Sequence, residues 1–218
     1  MRWFTSIRPP GDRRTIGTAL IVVSLIATVV SLLLPAQLFN GNRSVAAARQ
    51  GWIDDGRGTT STPYGPLTAL DRDFVRKVRL AGLWELPAGR QAQERGFRKA
   101  TRTAGDHLVA GHTELDRRAI EAGRALGISL PNQPGEKQQQ LLAEMDAAQG
   151  EEFDRKLANI LRMAHGKVFQ LIAVVRHQTR NSMVRSLADR ANAVVLDHIT
   201  VLENTGLVDF EPFDDDVL

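Results

Sequence analysis

The chain has no cysteine, which excludes a disulfide framework, a thiolate metal site and a thiol nucleophile together. Compartment stays open, because an exported chain can do without disulfides. Aromatic residues are scarce, at 6% with a single tyrosine. The net charge of +3 is carried by arginines spread along the chain, with no basic stripe and interleaved aromatics of the kind that tracks nucleic acid. Nucleic acid is therefore not expected as a partner. No Gly-rich phosphate loop is present, and no serine stands in a nucleophile-elbow context. Neither an internal repeat nor a credible strand pattern occurs. What remains is one uncharged apolar run followed by a series of amphipathic stretches.

The apolar run is Ile16–Leu34, preceded by Arg2, Arg8, Arg13 and Arg14 against a single acid, Asp12. At about 1.5 Å per residue it would span roughly 28 Å, close to the hydrocarbon thickness of a bilayer. A cleaved signal peptide has a shorter apolar region, about 7–15 residues, with small residues at the cut. Here the candidate Ala46-Ala47-Ala48 lies far beyond the run. The pattern predicts an uncleaved anchor at residues 16–34 embedded in the lipid bilayer of the cytoplasmic membrane. By the positive-inside rule, residues 1–15 would be cytoplasmic and the remainder extracytoplasmic. Residues 35–67, rich in Gly, Ser, Thr, Ala and Pro, are expected as a linker, and residues 208–218 as an acidic tail.

Residues 68–207 carry helical periodicity. A first helix is expected from Thr68, where Thr68 and Asp71 form a capping-box variant, to Arg95, with a kink at Pro87. A second covers about Phe97–Leu126, with Gly127 suited to the left-handed C′ position. Prolines and Gly135 make 128–135 a loop, and Glu136–Ala148 is a short polar helix. Glu151–Thr179 has apolar residues at Phe153, Leu157, Ile160, Leu161, Val168, Phe169, Ile172 and Val175, one wide buried stripe. The last helix spans about Met183–Asn204. Four long helices with short turns and one longer connection predict an all-α four-helix bundle.

Each long helix bears one ionisable residue on its apolar stripe: Glu85, His112, His165 and His198. Counted from the helix ends at 1.5 Å per residue, all four fall near the mid-height of the bundle. Neutral imidazoles and a carboxylate on facing helices suit a transition metal such as Zn²⁺, Fe²⁺ or Mn²⁺. The same residues would serve as a buried polar layer, hydrogen-bonded to one another. No Glu-x-x-His pair of the di-iron type occurs. His107 and Glu114 could share a flank of the second helix. His177 meets the negative end of a helix dipole, and Asp106 and Asp197 adjoin histidines as candidate outer acceptors.

Asp73-Phe74-Val75, Gly82-Leu83-Trp84-Glu85 with Gly89, Leu108-Val109, His112-Thr113, the Gly127–Pro131 turn, Gly150 to Phe153-Asp154, His165 with Val168, and His198 together carry a resemblance. In that order and spacing the region resembles a bacterial exported domain family of unknown function, labelled "predicted outer membrane protein", with a ferritin-like four-helix bundle. The resemblance implies a ferritin-like fold and an exported location. Gly111 and Ala164 stand where the family usually has aspartate before a histidine, and Pro87 where it continues a helix.

The functional expectation is a membrane-anchored, non-enzymatic accessory or scaffold domain, docked on another membrane protein complex such as a respiratory one. No catalytic residue is identified. The alternative is a metal-binding, redox-capable bundle using Glu85, His112, His165 and His198.

Overall fold

The computed structural model describes residues 51–211, and the reasons for its helices are visible at their ends. Helix α1 (Ala69–Arg95) starts from Thr68, whose hydroxyl accepts from the Asp71 N–H while the Asp71 carboxylate accepts from the Thr68 N–H. That is a complete capping box, which satisfies two otherwise orphaned donors. The helix continues through Pro87, giving up only the backbone bond that a missing N–H cannot make.

Helix α2 (Lys99–Leu126) has no side-chain cap of its own at Arg98. The N–H groups of Phe97 and Arg98 donate instead to the buried carboxylate of Asp154, at 2.9 and 2.8 Å. Gly127 ends it with a φ of 64°, the left-handed conformation that costs glycine nothing. Helix α3 (Glu136–Ala147) buries only Met145. Helix α4 (Gly150–Gln178) follows, then α5 (Ser182–Glu203), whose N-cap Asn181 accepts from the Met183 and Val184 N–H groups.

The four long helices pack around a common axis, with α1 beside α2, α2 beside α5, α5 beside α4 and α4 beside α1. Asp154 at the start of α4 touches the α1–α2 turn, so α4 runs parallel to α2. The chain from Gly127 through α3 crosses back along the bundle to make that possible.

The interior is divided. One apolar cluster holds Phe74, Val78, Leu115, Ile172, Val175, Leu187 and Val195. The other holds Trp84, Ala88, Leu108, Phe153, Leu157, Leu161 and Leu202. Glu85, His112, His165 and His198 are all buried, at the level where the two clusters meet.

Residues 51–67 are fastened to this bundle. Buried Arg72 donates to both Asp55 carboxylate oxygens, at 2.7 and 2.5 Å, and to the Gly58 and Leu67 carbonyls. The Arg72 guanidinium holds the Asp55 carboxyl well below the usual carboxylate range. Thr60 and Leu67 form an isolated antiparallel bridge, and Trp52 packs against the first cluster.

Two expectations require correction. The fold is all-helical and strand-free among the described residues, with five helices, the four long ones and the short α3, but no described helix is the membrane anchor expected in front of them. None of these helices is long and apolar enough to cross a membrane, because each interleaves its apolar stripe with charge, as Arg155, Lys156, Arg162 and Lys167 do along α4. The anchor expected at residues 16–34 lies outside the described residues. The single-pass topology, the bilayer partner and the cytoplasmic-membrane location were built on that segment, and no described helix supports them.

Candidate metal centre

Helical spacing brings Glu85, His112, His165 and His198 to one point. Each sits one turn from apolar residues that fix its height: Leu108 and Leu115 around His112, Leu161 before His165, Val194 and Leu202 around His198. Glu85 Oε2 lies 3.0 Å from His112 Nε2 and 3.3 Å from His165 Nε2. His165 Nε2 is 3.0 Å from His198 Nδ1. The ring centroids are 4.9 to 5.8 Å apart.

The protons in this cluster can be assigned from what each nitrogen faces. His165 Nδ1 lies 2.8 Å from the Leu161 carbonyl and His198 Nε2 lies 3.0 Å from the His107 carbonyl. A carbonyl oxygen only accepts, so both of these nitrogens are protonated and donate. In the neutral rings that leaves His165 Nε2 and His198 Nδ1 bare, and these two lone pairs face each other across 3.0 Å. Glu85 Oε2 and both nitrogens of His112 are buried without a hydrogen-bond partner. The 3.0 Å approach of His112 to Glu85 is thus a close contact whose angles are not those of a hydrogen bond.

Burial sets the charge. It pushes the Glu85 carboxyl up to about 7, against the pull of His165. Burial also pushes His112 down to about 4, opposed by Asp116, and His165 down to about 4, opposed by Glu85. His198 falls to about 3, again chiefly through burial, with its bond to the His107 carbonyl opposing the shift. Near neutral pH the rings are uncharged, the protonation state in which imidazole ligates metals. Buried unpaired lone pairs on one locus are costly, and a cation among them removes that cost.

His112, His165 and His198 form the three-residue group among the described residues able to hold a metal ion, with one nitrogen from each within 4.8 Å of the others. Two ligands about 2.1 Å from Zn²⁺ at a tetrahedral angle stand about 3.4 Å apart, so the approaches of 3.0 to 3.3 Å would open slightly and the wider histidine spacing, within 4.8 Å, would close.

The remaining candidates separate. His107 Nδ1 pairs with Asp197, at 2.8 Å, so Asp197 serves His107 rather than its neighbour His198. Asp106 accepts from Gln93. Glu114 is held by Arg118 and Arg190 and makes no pair with His107. His177 stays in the last turn of α4. The periodicity gave no sign of the two carbonyls that orient the rings, or of Gly111. A Cβ built on Gly111 would lie 2.5 Å from His198 Nε2, so glycine there lets α2 approach the ring. The departure from aspartate noted at this position is the only sequence signal that could have flagged it.

Fold and site together define an all-helical domain built around a buried three-histidine, one-carboxylate cluster. The chain belongs to the family described as domain of unknown function DUF4142, whose sequence profile matches residues 58–204. This corrects the expected family label: the match is to a domain of unknown function, with no outer-membrane description attached to it, and no helix among the described residues is long and apolar enough to cross a membrane. No curated protein and no solved structure matches the chain, so the ferritin-like attribution has no solved counterpart behind it.

Proposed function

We propose that this domain binds one divalent transition metal per chain through His112, His165, His198 and Glu85. The supporting observation is the pair of lone pairs on His165 Nε2 and His198 Nδ1, facing each other at 3.0 Å with their protons committed to backbone carbonyls. A single proton on Glu85 leaves His198 Nδ1 facing a lone pair unless it moves onto His165 Nε2, and burial opposes the charged ring that would result. A metal ion satisfies all four groups.

The donor set of three imidazoles and a carboxylate suits Zn²⁺, Fe²⁺ or Mn²⁺. All four side chains are buried, and a closed four-ligand set is the arrangement of structural zinc sites rather than of hydrolytic ones, which keep an open position. The reading thus replaces the membrane-scaffold expectation, which no described helix supports.

Elemental analysis of the purified full-length protein, prepared without a metal-affinity tag, tests it. About one transition metal per chain is expected, falling to near zero in His165→Ala while the helical circular dichroism persists. A folded wild-type protein that stays metal-free after incubation with Zn²⁺, Fe²⁺ and Mn²⁺ would make the cluster a structural polar layer.

A further inference from the structure

A site so deeply enclosed needs a route for its ion, and one face of the bundle supplies it. Between α2 and α5 lies a surface depression of about 540 Å³ whose floor includes His198 and Gly111. The wall there is one backbone thick, because Gly111 has no side chain and the position of its Cβ is 2.5 Å from the His198 ring. The depression carries Asp106, Glu114 and Asp197 against Arg190, with Arg118 also paired to Glu114, which leaves one negative charge in excess to attract cations.

On its rim His107 donates from Nδ1 to Asp197, at 2.8 Å, and both side chains are substantially exposed. A carboxylate on one ring nitrogen fixes the tautomer and orientation and makes the other nitrogen a better ligand. His107 Nε2 is therefore set up to take a metal from solvent. The same residue is joined to the inner cluster through its backbone, since its carbonyl accepts from His198 Nε2. His198 spans the wall, with Nε2 on the groove side and Nδ1 facing His165.

We propose that His107, oriented by Asp197, is an outer docking site for the incoming divalent cation. The cation passes inward when the His198 ring breaks its bond to the His107 carbonyl and turns. This rests on the inner site binding metal as proposed above. It assigns different roles to the two histidines: His198 holds the ion at equilibrium, whereas His107 sets only how fast the ion arrives.

Uptake of Co²⁺ by full-length apoprotein, followed by its visible absorption in a stopped-flow instrument, separates these roles. His107→Ala should load about ten-fold more slowly or worse, reach the wild-type end point, and keep its backbone carbonyl for His198. Asp197→Asn should slow loading by a smaller factor, and Glu121→Gln, outside the groove, should leave it unchanged. Loading of both His107→Ala and Asp197→Asn at the wild-type rate would overturn the docking site and leave the inner site standing. A reduced end point at an unchanged rate would overturn it as well, because His107 would then be part of the equilibrium site. A wild-type protein that shows no Co²⁺ band would remove the inner site and the route together.

Discussion

At the scale of single residues, the metal-free cluster has opposing proton demands that a pH series can resolve. Glu85 is raised from 4.5 to about 7 by burial, so its contribution to stability is fully present below 4.5 and is lost as pH rises through 7. The three histidines are depressed from 6.5 to about 4, 4 and 3. Their contribution is present above 6.5 and is lost as pH falls through those values. Between pH 6.5 and 4.5 unfolding takes up as many as three histidine protons and releases one from Glu85. Each proton of difference is worth about 1.4 kcal/mol per pH unit. The apoprotein should therefore gain stability up to about pH 7.5, level off above it, and weaken on acidification with a limiting slope of about two protons. Glu85→Gln removes the opposing term, so its acid-side slope should steepen towards three. Urea denaturation of apoprotein from pH 4.5 to 8 reads both slopes. Equal slopes for wild type and variant would mean that Glu85 does not titrate as burial dictates.

At the scale of elements, the bundle depends on contacts between helices that stand far apart in sequence. Asp154 on α4 caps α2 across the α1–α2 turn by accepting from two backbone N–H groups. Asp154→Ala would leave two part-buried donors without their carboxylate, at up to about 1–3 kcal/mol each, whereas Thr68→Ala in the local capping box of α1 should cost about 1 kcal/mol. Chemical denaturation of the two variants tests the order, and a cheaper Asp154→Ala would mean that water reaches those N–H groups. Gly111→Ala should cost about 1–3 kcal/mol by overpacking, since its Cβ would meet His198 and Val194. These elements also show what the sequence makes legible. The Thr68–Asp71 box, Gly127 and the stripes on α1, α2, α4 and α5 are local signals, and they place each helix within a few residues. The same periodicity put Glu85, His112, His165 and His198 at one height, where the structure brings them together. The cross-helix cap, the tautomer-fixing carbonyls of Leu161 and His107, and the Arg72–Asp55 clamp have no local signature. Any residue type can offer a carbonyl, and a carboxylate 56 positions from the N–H it satisfies leaves no spacing to read. The apolar run at 16–34 was legible too, but it lies outside the described residues and does not define the helices that carry the site.

At the scale of the whole molecule, the cluster matters because it divides the core. Apolar packing stops at Val78, Leu115, Leu171 and Val195 on one side and resumes at Trp84, Leu108, Leu161 and Leu202 on the other. Between them lie four buried polar side chains, with the bare nitrogens of His165 and His198 opposed at 3.0 Å. Metal should therefore act as a tie between two apolar halves, and its removal should weaken the molecule most at that level. A ligand that binds only the folded state at a hundred times its dissociation constant adds about 2.7 kcal/mol. For a domain of this size that raises Tm by about 5–10 °C. Stripping the metal with a chelator should lower Tm by a comparable amount and restore it on re-addition. Hydrogen exchange should localise the change: amides around Gly111 and His198 should lose protection in the apoprotein before those around Phe74 and Phe153, which remain packed in their own clusters. Metal removal that leaves Tm and exchange unchanged would show that the two clusters support each other without the ion. Uniform loss of protection throughout 69–203 would instead mean that the halves do not fold independently of the tie, and that metal binding and folding of this bundle are a single transition.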